Sequence, residues 1–235
     1  MPPPIQDSDP PVSVRKLDPE RTRRDILEVA REEFAEHGLS GARVDAIAAR
    51  TRTTKRMIYY YFGSKEGLYL AVLERAYADI RDVEQGLELQ ALPPVEAIRR
   101  MVASTFDYQE AHPDFIRLVS IENIHHGRFI AQSEAIRAVN ATVIETLSAI
   151  LERGREAGVF RGDLTPEDVH MMISAFCFFR VSNRHSFGTL FNQDLAAPEL
   201  RERHKAMITE AILGLLAPRQ DARVGDLRSR AVSAA

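Results

Sequence analysis

The sequence predicts an all-α protein of about nine helices: an N-terminal three-helix unit containing a helix-turn-helix, followed by a larger helical domain. Three observations predict it. Apolar residues recur at helical spacing along most of the chain, and no stretch alternates like a strand. Prolines, glycines and capping residues punctuate that pattern. Between residues 41 and 65, two short helical segments carry a cluster of cations in a mildly acidic chain.

Residues 1–14 hold five prolines and no positive charge, which fits neither a signal nor a transit peptide and reads as a disordered leader. A helix-turn-helix unit is expected over 15–63. Its first helix can start at Asp18, with Pro19 in the first helical position, or at Thr22 ahead of Asp25. Ile26, Leu27, Ala30 and Phe34 form its apolar stripe, and Gly38 after His37 is its stop. Short helices are expected over about Val44–Arg50 and Thr54–Phe62. Gly63-Ser64 then breaks the chain, and Ser64 caps a long helix with Leu68, Val72, Ala76, Ile80 and Val83 on one face.

The second domain is expected over 64–217, with a fraying tail at 218–235. Pro93-Pro94 opens a helix carrying Val95, Ile98, Val102 and Phe106, which His112-Pro113 closes. Phe115, Leu118 and Val119 mark a shorter helix, and Ile136, Val139, Val143, Leu147 and Ile150 a long one ending near Gly158. Thr165-Pro166-Glu167-Asp168 combines a hydroxyl cap, a proline and two acids at a helix start. The last helix, about Pro198 to Leu216, places Leu200, His204, Met207, Ile208, Ala211, Ile212 and Leu215 in register.

Charge narrows the function. The 31 Lys and Arg nearly balance 34 Asp and Glu, so a nucleic-acid site has to be a local patch. Gly41–Lys65 supplies one: Arg43, Arg50, Arg52, Lys55, Arg56 and Lys65 face the single acid Asp45. Thr53, Thr54, Tyr59, Tyr60 and Tyr61 add hydroxyls able to reach phosphates or base edges. The lone Cys177 excludes an internal disulfide and a four-cysteine zinc site, and its apolar neighbours argue for an inert thiol. The run Met171–Phe179, broken by Ser174, is too short to span a bilayer, so a soluble, reducing, cytoplasmic setting is expected. With no phosphate-cradling glycine loop and no nucleophile–base pair, neither an enzyme nor a cofactor is expected.

Arg24-Asp25-Ile26-Leu27, Phe34-Ala35-Glu36-His37-Gly38, Val44-Asp45-Ala46-Ile47-Ala48 and, above all, Lys55-Arg56-Met57-Ile58-Tyr59-Tyr60-Tyr61-Phe62-Gly63-Ser64-Lys65-Glu66 resemble the DNA-binding domain of tetracycline-repressor (TetR) family regulators. The resemblance covers about residues 20–84. It implies a repressor that binds a palindromic double-stranded DNA operator as a homodimer and is released by a small-molecule effector. By position, Thr54, Lys55, Arg56, Tyr59 and Tyr60 match the family's recognition-helix residues, and Thr22 and Lys65 its backbone contacts; Arg43, Arg52 and Thr53 complete the expected DNA-contacting set. The chain departs from the family where the turn usually reads Gly-Val-Ser and here reads Arg52-Thr53-Thr54, and where Ala42-Arg43 replaces the usual hydroxyl cap.

The helices at 94–112, 129–157 and 166–184 hold polar groups on or beside apolar faces, and an effector pocket is expected around Thr105, Phe106, Tyr108, Asn140, Ser174, Phe179 and Asn183. A dimer seam is expected on the helices Pro166–Asn183 and Pro198–Leu216, through Phe178, Ile208, Ile212 and Leu215. A rival reading rests on two Glu-x-x-His spacings, Glu122/His125 and Glu167/His170, as in helical di-iron oxidoreductases.

Overall fold

A computed structural model describes residues 18–219. Among the described residues there are ten α-helices and no strand: α1 (Pro19–Gly41), α2 (Val44–Arg50), α3 (Lys55–Phe62), α4 (Lys65–Gln85), α5 (Pro94–Ala111), α6 (Pro113–Ile124), α7 (Glu134–Glu156), α8 (Pro166–Ser182), α9 (Arg184–Phe191) and α10 (Pro198–Leu216). The expected leader at 1–14 lies outside the described residues, as does the expected tail beyond residue 219.

The starts at Asp18, Ser64 and Thr165 are built by the expected residues, and those of α3 and α7 by two residues not expected as caps. Asp18 accepts hydrogen bonds from the Glu20 and Arg21 amides, which selects the earlier of the two possible starts of α1. Thr54 caps α3, Ser64 caps α4 and Ser133 caps α7. Thr165 and Asp168 form a reciprocal capping box on α8.

Two features differ from expectation. Gly38 does not end α1 but kinks it, with φ 65° and ψ 176°, and one more turn follows to Gly41. That backbone is open to glycine and costly for any side chain. The tenth helix, α9, has no side-chain cap, contains Gly188 and has no buried residue, so its sequence lacks a start signal and a core-facing stripe.

Burial follows helical faces into two cores. The first joins Ile26, Ala30 and Phe34 of α1, Val44 and Ile47 of α2 and Ile58 of α3 to Leu68, Tyr69, Val72 and Leu73 of α4, and runs on to Phe115, Ile116 and Leu118 of α6. It therefore crosses the expected boundary at residues 63/64 and joins α1–α3, the head, to the helices that follow, the body. The second packs α5, α7, α8 and α10 around Ile98, Phe106, Leu147, Ile173 and Ile212. Arg31 of α1 reinforces the junction by donating to Asp79 of α4 and Asp114 of α6. No helix of the described residues is long and apolar enough to cross a membrane.

Candidate nucleic-acid interface

Helix α3 has eight residues and buries only Ile58 fully, so nearly its whole surface is presented outward. Ile58 anchors it in the head core, and Gly67 brings α4 close behind it: a Cβ there would lie 2.1 Å from the Phe62 carbonyl oxygen. Tyr60 is 78% exposed, and Lys55, Arg56 and Tyr59 are exposed beside it. Such an aromatic and basic surface can stack on sugars and donate to phosphates or base edges.

The other expected DNA-contacting residues surround this helix. Arg52 occupies the turn with φ 52°, the left-handed conformation that glycine would adopt without strain. The Thr54 hydroxyl accepts from the Met57 amide at 3.2 Å and retains its own proton for a further bond. Lys55 reaches Asp45 of α2 at 3.1 Å, an exposed pair that a phosphate can replace at small cost. Lys65 donates to the Ser40 carbonyl, 3.3 Å away, and pins the start of α4 to the end of α1. Thr22 is half-buried, its hydroxyl donating to the Asp18 carbonyl.

Arg43 is exposed at the start of α2 and no side chain of its own segment caps that helix. Glu33 of α1 does so instead, accepting from the Arg43 amide at 2.9 Å. Sequence reasoning missed Glu33, although its place on the Ala30–Phe34 stripe is a signal: an acid at a buried register position needs a donor.

The effector residues are not gathered around one cavity. Thr105, Phe106 and Tyr108 are buried in α5, and Phe106 lies beneath the cations of Arg180, Arg201 and Lys205. Asn140 donates to the Ile136 carbonyl, Asn183 caps α8, and Ser174 is half-buried. Phe179 is 51% exposed and lines a shallow apolar cleft between α8 and α10 with Phe176, Met207, Ile208 and Ala211.

The residues of the expected seam are largely turned inward. Ile212 is completely buried, and Ile208 nearly so, in the core of their own subunit; Phe178 packs against the head core, and Leu215 is half-buried. The outward stripe is one residue round the helix, at Met207 and Ala211, a rotation of about 100°.

The di-iron reading fails on the residues it needs. Glu122 is fully buried and its Oε2 accepts from the Phe129 and Ile130 amides, while His125 is exposed at the end of α6. Among the described residues no group of three or more His, Cys, Asp or Glu could hold a metal ion. Burial and the Arg81 charge hold His170 down near about 4, a neutral packed imidazole. Burial pushes the Cys177 thiol up to about 12, as its apolar neighbours imply.

Residues 26–72 match the family model described as bacterial regulatory proteins, tetR family, and residues 94–212 match the tetracyclin repressor-like C-terminal domain. The chain belongs to the tetR family. This regulator is 36% identical over 200 residues to the HTH-type transcriptional repressor NicS of Pseudomonas putida, covering 85% of this chain and 94% of that one. It is 32% identical to an HTH-type transcriptional repressor of Streptomyces coelicolor, over 70% of this chain and 80% of the relative. Among solved structures, a putative transcriptional regulator from Streptomyces coelicolor superposes with a TM-score of 0.64 at 27% identity, covering 84% and 99% of the two chains. A TetR family regulator from Marinobacter aquaeolei shares the fold, with a TM-score of 0.66 at 18% identity over 85% and 97%. The tetR-family chain is thus a ligand-responsive DNA-binding transcriptional repressor and not an enzyme, and homodimers are typical of its family.

Proposed function

We propose that two copies of this chain pair through the α8–α10 face and set their α3 helices in successive major grooves of a palindromic operator. The observation that carries this reading is the pairing of two outward surfaces of opposite chemistry: a basic, hydroxyl-bearing α3 and an apolar stripe through Phe176, Phe179, Met207 and Ala211. Dimerisation fixes the spacing of the half-sites. Arg56 reads bases, Tyr60 contacts phosphate, and Arg43, Arg52, Thr53, Thr54, Lys55, Tyr59, Lys65 and Thr22 complete the contact set.

Repression ends when a small molecule favours a state in which α4 swings the two heads out of register. Thr105, Phe106 and Tyr108 lie in packed core, so an effector held by them requires that the α5–α8 body open around it. Asn140, Ser174, Phe179 and Asn183 are candidates for the walls of that opened state.

Selection of DNA from a random library with the purified protein tests the reading. The expected product is a two-fold symmetric sequence whose affinity falls steeply as salt rises. Enrichment of a single half-site, or binding indifferent to salt, contradicts it.

A further inference from the structure

A cleft of about 390 Å³ opens where the reading head meets the body. Its walls come from α1 at Gly38, from α6 at Ile116, Ser120 and Ile121, and from the α8–α9 junction at Val181 and Arg184. The volume suits a metabolite-sized molecule.

The charges around it are unequal. At the mouth, Arg117 of α6 and Glu36 of α1 form a pair at 2.8 Å and cancel. Glu110 bridges Arg180 and Arg184, at 2.9 and 2.8 Å, while Arg180 also donates to the Leu195 carbonyl and meets a ring nitrogen of His204. The His204 ring is held neutral-prone by burial and by the adjacent Arg180 charge. Two guanidiniums therefore share one negative charge. Arg180 is nearly fully buried, whereas Arg184 lines the cleft and its Nε is buried without a hydrogen-bond partner. A cation that shares its carboxylate with a second guanidinium and keeps an unused donor, next to apolar walls of Ile116, Ile121 and Val181, has the composition of a site for an anion with an apolar body.

We infer that this cleft binds a small organic monoanion, its charge set against Arg184 and its body against α6 and α8. The occupant also touches Gly38, the kink beyond which the chain enters the helix-turn-helix, so binding shifts the angle of the head. That coupling rests on the repressor reading above; the binding itself does not.

The chain contains no tryptophan, so Ser182→Trp places a lone fluorophore on the cleft wall. This protein is titrated with hexanoate and with hexanamide as the neutral isostere. A saturable fluorescence change is expected for hexanoate, with half-saturation at about 1 mM, and a response weaker by about tenfold for the amide. Arg184→Gln is expected to abolish the preference for the carboxylate, and Ser120→Phe, which fills the cleft, to abolish both responses. If Arg184→Gln lowers the helix content, Ser120→Phe alone decides. Absence of saturation, or a carboxylate preference that survives Ser120→Phe, overturns the site. On selected DNA, saturating hexanoate is expected to weaken binding about fivefold, an effect lost with Ser120→Phe; unchanged affinity overturns the coupling. Failure to select any DNA defeats the repressor reading and leaves the fluorescence titration to decide the site.

Discussion

Helix α3 and the α8–α10 face both expose aromatic side chains, yet they are built for different partners. On α3, Tyr59 and Tyr60 stand among Lys55 and Arg56, and every exposed ring carries a hydroxyl. On the other face, Phe176, Phe179, Met207 and Ala211 offer no hydrogen-bonding side chain, and the polar neighbours Arg180 and His204 are already bonded to each other. The first surface suits a hydrated polyanion. The second gains only by leaving water, which a matching protein surface provides. Exposure of apolar area is therefore a poor guide to a partner until the polar atoms beside it are counted.

The largest effect should come from putting charge on the apolar face. Phe179→Asp with Met207→Asp is expected to leave helix content intact, since both side chains are more than half exposed. Light scattering at micromolar concentration should then report a monomer, and operator affinity should fall by about a hundredfold or more because the two heads are no longer tied together. A dimer that survives this change places the seam elsewhere.

On α3 the effects should be smaller and should separate by role. Arg56→Ala is expected to cost about 1–3 kcal/mol on the best operator and to relax the base preference at one position. Tyr60→Ala should weaken all sequences alike by about 1 kcal/mol, with preference unchanged. Competition binding across single-base operator variants distinguishes the two patterns.

The buried side of α8 can be compared with its exposed side through pH. His170 titrates near about 4 in the fold, below its ordinary value of 6.5, because burial and Arg81 disfavour its charged form. The unfolded chain therefore binds a proton first as pH falls. The fold keeps its full stability from this group above pH 6.5 and loses it progressively down to about 4. The urea midpoint should drop over that window in the native chain and more shallowly in His170→Asn.

The smallest effect concerns the turn before α3. Arg52→Gly relieves a left-handed backbone at φ 52° and should raise stability by about 0.5–1 kcal/mol, with the loosened unfolded chain offsetting part of the gain. The same change should weaken DNA binding, since it removes a cation. A chemical-denaturation series beside an anisotropy titration reads both signs.

Much of this molecule is legible in its sequence because local rules and tertiary packing agree. The caps at Ser64 and Thr165, Asp18 as one of two candidate starts, and the stripes through Ile26–Phe34 and Leu68–Ile80 needed no structure to be found. The α3 cations stand out because they interrupt an acidic chain. What was not legible depended on rotation or on distant partners. In α10, Ile208–Ile212 and Met207–Ala211 are both apolar stripes, and the packing of α5 and α8 decides which is inside. In α5 and α7, Thr105 and Asn140 are polar groups on apolar helices, and sequence cannot distinguish a lining residue from one satisfied within its own helix. Helix α9 has no buried face at all, so hydrophobic period carries no information about it.

The core that runs unbroken from Phe34 through Tyr69 to Phe129 has a consequence for anyone dissecting the protein. Tyr69 packs edge-on against Phe34 of α1 at 5.1 Å and against Phe129, beyond α6, at 5.1 Å. A fragment cut after Phe62 would keep the whole of α3 and lose Leu68, Tyr69, Val72 and Leu73, the floor on which Ile26, Phe34 and Ile58 rest. Such a fragment is too small to close a core over that exposed area and should be insoluble or unfolded when expressed alone. Grafting this recognition surface onto another protein therefore requires carrying α4 and its supporting wall along with it.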